Sequence, residues 1–392
     1  MTATLRAGFV PLVDAAPLII ADAMGFAGEE GLHLNLTAAP SWAALRDMLA
    51  AGQVDAAQML APVPVALSLG LGGAAARFEA LSVMNMNGNV LGVSRNLAAG
   101  MQANGWGFDF TDARSAGLAM VKAVEQRLHI GVPFLFSMHL ELVTYWLDGL
   151  GVRLPKDLQI VAVPPARIAD ALAQGEIDAF CVGEPHGSVA VDKGQGVLLL
   201  PGSAIWAFAP EKVLAARTGW ADAEPDLAGR LIRAVWRAGR WLMAPQNRVT
   251  ASDVLAAPER LNMAAELIER SLTGRLVIAP DGAERFVPGF IEFHAGAASF
   301  PWRSQAAWMG MRLARRYGLD QSASIAAARA VFRCDLHRLH LRQTGADLPG
   351  ASEKVEGSLT QPCAVASERG KLILPIDRFF DAKIFDPANP TR

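Results

Sequence analysis

Two stretches of the chain, LAAGQVDAAQMLAP at 49–62 and LAQGEIDAFCVGEP at 172–185, align without a gap and share six of fourteen residues. An internal duplication constrains a fold strongly, because whatever one copy builds the other builds again. The offset is 123 residues. Carried backwards, it sets Gly8 on Gly131, and the run GFVPL before Asp14 on GVPFLF before Ser137. Short apolar runs of this kind predict buried strands. Each copy continues into a helical pattern, at 16–25 and 138–149, and then a second strand, LHLNL at 32–36 and LQIVAV at 158–163. A second helix is expected at 42–51 and 166–174, ending at Gly52 and Gly175. Glycine is the residue favoured just past a helix C-terminus. A third strand closes at Pro62 in one copy and Pro185 in the other.

Each copy therefore reads β-α-β-α-β, and the pair predicts an α/β protein of two lobes with mostly parallel sheets. A chain of 392 residues is too long for one ordinary core, and 52% apolar residues are enough to fill two. Lobe one is expected to hold 1–92 plus a return from 207 to 392, and lobe two 93–206. The C-terminal region should be helical at SQAAWMGMRLARRYGL, then irregular with one late strand at GKLILPI.

Several function classes are disfavoured. A net charge of −2 gives no electrostatic footprint for direct binding of nucleic acid or of an anionic membrane surface. No apolar run approaches the roughly 20 residues that span a bilayer. The N-terminal LRAGFVPLVDAAPLIIADA mimics a signal peptide, but the duplication needs residues 8–36 for its first strand, helix and strand. The expectation is a protein kept in the cytoplasm. Cys181, Cys334 and Cys363 lie far apart, which is no disulfide framework and suits a reducing compartment. Cys334, His337 and His340 in CDLHRLH do not have a standard zinc spacing, so no metal is expected. No glycine-rich phosphate loop follows a strand, and no nucleophile–base pairing is visible, so neither a cofactor nor an enzyme is expected. The stripe Arg230, Arg233, Arg237, Arg240 reads as the solvated face of a helix.

Paired α/β lobes bind ligands in the crevice at the carboxyl ends of their strands, where helix N-termini favour anions. The crevice-lining turns are then Asp14–Pro17, Ser41–Trp42, Ser137–His139, Pro164–Pro165, and the strand ends at Pro62 and Gly183–Pro185.

The segments GFVPLVDAAPLIIA, SWAALRDMLAAGQVDAAQMLAP, AFCVGEP and APEKVLAARTGW resemble the nitrate- and bicarbonate-binding proteins of the nitrate/sulfonate/taurine solute-binding superfamily. The resemblance covers residues 5 to about 245 and returns in the tail at FFDAKIFDP. It implies a two-lobe periplasmic-binding-protein-like (type II) fold. It also implies site roles for Trp42 as a flat wall, His139 as a donor at a helix start, and Lys212 as the anion-binding ammonium. Asn89 stands where relatives have a glutamine, and Gly183 brings a backbone N–H close to the ligand. An acidic residue at the lysine position marks bicarbonate-binding relatives, so Lys212 points to nitrate or nitrite.

In starting almost directly at the fold, the chain is similar to cytoplasmic nitrate sensors of the NasS type. These hold an ANTAR-type (NasT-like) RNA-binding antiterminator and release it when the anion binds. The alternative is the substrate-binding component of an ABC-type nitrate transporter. Thiamin-pyrimidine synthases share the fold, but they need a cysteine cluster where this chain has Cys181 alone.

Overall fold

The computed structural model describes residues 2–390 except 74, 75, 125, 126 and 153–155. Among the described residues eleven strands form the two main sheets, a short one at Ile291–Glu292 and ten longer ones: β1 (Ala3–Phe9), β2 (Leu32–Ala38), β3 (Ala56–Leu60), β4 (Phe78–Asn87), β5 (Asn89–Ser94), β6 (Leu128–Val132), β7 (Leu158–Ala162), β8 (Ala179–Gly183), β9 (Gly196–Pro201) and β10 (Pro210–Arg217). The first sheet runs β4-β10-β3-β1-β2, with the short strand Ile291–Glu292 outside β4; the second runs β7-β6-β8-β5-β9.

The duplication is visible at the level of register. In the first sheet Ala7 pairs with Ala56 and Gly8 with Ala57; in the second Ile130 pairs with Ala179 and Gly131 with Phe180. Every one of these positions differs from its counterpart by the offset read from the sequence. The packing repeats too. A Cβ on Gly8 would lie 2.5 Å from Leu45, with Val54 beside it; a Cβ on Gly131 would lie 2.8 Å from Ile177, with Ile168 beside it. Glycine at these two positions lets the following helix and strand close down on the first strand. The Asp55 carboxylate accepts from the Arg6 backbone N–H at 3.0 Å, and Asp178 accepts from the His129 N–H at 2.8 Å. In each sheet a strand from elsewhere in the chain, β10 or β5, adds antiparallel to the parallel trio.

The chain leaves the first sheet at Gly88, whose φ of 91° is open only to glycine at little cost. That crossing precedes the expected boundary at 92, because β5 already belongs to the second sheet. The return runs from Pro201 to Pro210. Asn87 fastens the two crossings together: its amide donates to Ala207 O and accepts from Ala209 N, both at 3.0 Å.

The C-terminal region differs from expectation in two ways. Beyond the helix Arg303–Tyr317 come two more, Gln321–Val331 and Cys334–Leu341, where irregular chain was expected. Nor does the region belong to the first lobe alone. The helix Arg303–Tyr317 packs on Pro62–Ser68 of the first lobe. It also reaches the second lobe, where Arg316 pairs with the buried Glu141 at 2.6 Å. Tyr145 of the second lobe donates to Asp381 at 2.7 Å and packs against Phe379 and Trp308. The segment around 270–285 also touches the second lobe, through Arg270 to Asp192 and Ile278 O to Leu198 N. The arginine stripe is not simply solvated: Arg233 and Arg237 pair with Glu29 and Glu30, and Arg230 with Asp226.

Candidate functional site

The two sheets present the carboxyl ends of their parallel strands to one another, and a buried polar cluster fills the seam. Lys212 on β10 is its centre and is fully buried. Its Nζ lies 2.7 Å from Asp14 Oδ2 and 2.7 Å from Glu211 Oε1. The Trp42 ring covers the ammonium at 5.3 Å, a cation–π distance. Trp42 opens the helix Trp42–Ala50, whose start is set by Ser41 accepting from Ala44 N.

From the second lobe come three groups. Asn89, the first residue of β5, donates to Glu211 Oε2 at 2.6 Å. His139, in the first turn of the helix Met138–Asp148, places Nδ1 3.4 Å from Glu211 Oε1. Gly183 ends β8 opposite Asn89, and a Cβ there would lie 3.3 Å from Asp14 Oδ2. The structure thus brings Trp42, Asn89, His139, Gly183 and Lys212 to one place.

Three further residues belong to the cluster. Asp14, at the turn after β1, accepts from the Gln58 amide, and Gln58 in turn accepts from Val10 N at 2.9 Å. Glu211 escapes a reading by strand alternation, because neighbours on a strand face opposite sides of the sheet. Here β10 is irregular against β4: Pro210 pairs with Met86 and Lys212 with Asn85, leaving Glu211 as an extra residue. Such a bulge re-aims side chains, and the two neighbours meet in the same seam. No signal in the sequence marks that bulge. Gln58 is foreshadowed only as a polar residue inside an otherwise apolar strand.

Burial pushes the Asp14 carboxyl above the ordinary carboxylate range, against the pull of Lys212. Burial works against the Lys212 ammonium, but Asp14 and Glu211 more than offset it and hold its pKa above the usual lysine value. Burial, and then the charge of Lys212, keep the His139 imidazole well below its usual pKa, so it is neutral. Both of its ring nitrogens, the Trp42 indole N–H and Asn89 Oδ1 are buried without a hydrogen-bond partner. The unused indole N–H of Trp42 and imidazole N–H of His139, beside a buried ammonium, are donors of the kind a small planar oxyanion requires. Burial holds the Cys181 thiol protonated, which removes the thiolate a nucleophile needs. Among the described residues no group of acidic, histidine and cysteine side chains has a metal-holding arrangement.

The model of the NMT1-like family matches residues 1–256. The chain belongs to the NMT1-like family. This NMT1-like protein is 32% identical over 314 residues to the nitrate import ATP-binding protein NrtC of Synechocystis sp., a match covering 79% of this chain and 46% of that protein. It spans about half the length of the two NrtC proteins it matches, 46% and 54%. It is 26% identical to the bicarbonate-binding protein CmpA of Synechococcus sp., over 99% of this chain and 85% of that one. The crystal structure of the periplasmic nitrate-binding protein NrtA from Synechocystis PCC 6803 superposes with a TM-score of 0.85 at 25% identity, covering 99% of this chain and 97% of that one. The expected two-lobe periplasmic-binding-protein-like fold is therefore the observed one.

Proposed function

We propose that this NMT1-like protein binds nitrate or nitrite in the seam between its lobes. The observation that carries the reading is the convergence of Lys212, Trp42, Asn89 and His139 from both lobes on one buried point. The names of NrtC and NrtA, a nitrate import protein and a nitrate-binding protein, support it. The anion would take hydrogen bonds from the Lys212 ammonium, the His139 imidazole and the Asn89 amide, against the flat face of Trp42. Isothermal titration tests it: nitrate or nitrite should bind at low micromolar concentration or tighter, and bicarbonate should not. Bicarbonate heat with no nitrate heat would overturn the choice of anion.

We further propose that the anion is a signal in the cytoplasm. The anion-free form holds an ANTAR-type antiterminator, and nitrate releases it. A ligand that touches both lobes favours the closed form by its differential affinity, and a partner of the open form must lose affinity by the same factor. Size-exclusion chromatography of the co-expressed pair, with and without nitrate, tests this; a complex that survives saturating nitrate sinks it. The second reading, a substrate-binding component of an ABC-type nitrate importer, is favoured by the match to NrtC. Capture of this chain by a cognate membrane permease, with no ANTAR complex, would establish that reading instead.

A further inference from the structure

The seam carries more negative charge than a receptor for a monoanion has reason to carry. Asp14 and Glu211 both contact Lys212, and His139 is neutral, so with both carboxylates ionised the cluster is already at −1. None of these four side chains is more than 3% exposed. A monoanion seated on Lys212 would raise the charge to −2 where water screens little, and it would compete with two carboxylates for one ammonium.

The titratable groups facing the seam are few. From the first lobe come Asp14 after β1, and Glu211 and Lys212 on β10. From the second come His139 at its helix start, Cys181 on β8, Glu184 just past β8, and His186, which meets the Pro11 backbone of the first lobe and is held neutral by burial, its pKa pushed down to about 4. Glu184 turns its carboxylate to Ser188 N, and Cys181 is held protonated. His139 is placed to accept a proton without giving up a hydrogen bond, since both ring nitrogens lack one. A proton there makes the 3.4 Å approach to Glu211 an ion pair. Glu211 then shares its charge between His139 and Lys212, and the ammonium is left with donors for the ligand.

We propose that each nitrate or nitrite entering the seam is accompanied by one proton, taken from solvent onto His139, and that Glu211 imposes this requirement. The inference rests on the seam being the nitrate or nitrite site. No covalent bond changes; one proton leaves water, one N–H forms on the imidazole, and the cluster stays at −1. The complex holds one proton more than the anion-free protein, so a rise in pH favours the anion-free form. Affinity should fall towards tenfold per pH unit between the imidazole pKa of the anion-free protein and that of the complex.

The test is titration of the full chain with sodium nitrate and with sodium nitrite at pH 6, 7 and 8, in two buffers of different ionisation enthalpy. About one proton should be taken up per anion at pH 8, with weaker binding there than at pH 6. Glu211→Gln lowers the negative charge of the seam by one. It should bind without proton uptake, with an affinity flat across this range and above the wild-type value at pH 8. His139→Gln should also lose the uptake; a proton count unchanged in that variant overturns the assignment to His139. Tight nitrate binding by the wild-type protein with no proton uptake overturns the inference and leaves the nitrate reading standing. No binding of either anion, by the wild-type protein at pH 6 or by Glu211→Gln, overturns both. The wild-type proton count decides the matter even if a variant fails to fold.

Discussion

Asn89 Nδ2 donates to Glu211 Oε2 at 2.6 Å, joining the second lobe to the first at a point where neither residue meets water. The lobes cannot part without breaking it. A hydrogen bond to a buried carboxylate contributes about 1.5–3 kcal/mol. Asn89→Ala should lower unfolding stability by about that much, because it leaves one Glu211 oxygen without its donor. Urea denaturation measures the loss; a change below about 0.5 kcal/mol would mean water replaces the amide.

Lys212→Met removes the cation that Asp14 and Glu211 share. Breaking a buried ion pair by deleting one partner costs about 3–5 kcal/mol. The loss should be largest at pH 8 and smaller at pH 5. Burial already raises Asp14, and removing the ammonium raises it further. A carboxyl whose folded pKa is raised keeps its stability at low pH and loses it as pH rises through that pKa. Urea midpoints at the two pH values check both size and sign, and nitrate binding should vanish.

Glu184 gives a second pH signature. It is buried, accepts from Ser188 N at 3.2 Å, and leaves Oε1 without a partner. Burial pushes its pKa up to about 7. The stability it contributes is present below about pH 4.5 and is lost as pH rises through 7. Glu184→Gln replaces it with a neutral group of the same shape. The variant should exceed the wild-type protein in stability by roughly 1–3 kcal/mol at pH 8, with the difference shrinking at pH 5. Equal stabilities at pH 8 would refute the assignment.

Glu141 is fully buried and pairs with Arg316 at 2.6 Å and Arg312 at 3.5 Å. Arg316→Ala should destabilise by about 2–4 kcal/mol, since it strips a buried carboxylate of its nearest cation. Adding Glu141→Gln should restore more than half of the loss, a coupling that a double-mutant cycle reads directly. Additive losses would show that the arginine acts by packing alone.

The duplication was legible because glycine, aspartate and proline recur at one offset, and each has a backbone reason to recur. Gly8 and Gly131 make room for the same neighbours, and Asp55 and Asp178 accept the same backbone N–H. Trp42, His139 and Gly183 were legible because the turns after parallel strands gather at one seam, whereas Asn89 and Lys212, on the antiparallel strands, were legible only through the family resemblance. Glu211 was not, because only a bulge turns it to the side of Lys212. The helices Gln321–Val331 and Cys334–Leu341 escaped for a different reason. The first buries Ser324, Ile325, Ala328 and Val331, a helical spacing hidden by small residues that carry little hydrophobic contrast. The break between the two helices, at Phe332 and Arg333, adds to the irregular look.

The tail that spans both lobes changes the mechanics of the molecule. A two-jawed receptor swings on its crossings, and its gape is set by how far those strands can twist. Here the crossings are stitched by Asn87, and a third support runs from the first lobe through Arg312, Arg316 and Asp381 to the second. A frame braced at three points flexes by short, stiff displacements. The work of opening it is then governed by the ion pairs at Glu141 and the edge-on and tilted ring contacts of Tyr145 more than by the pliancy of its hinge.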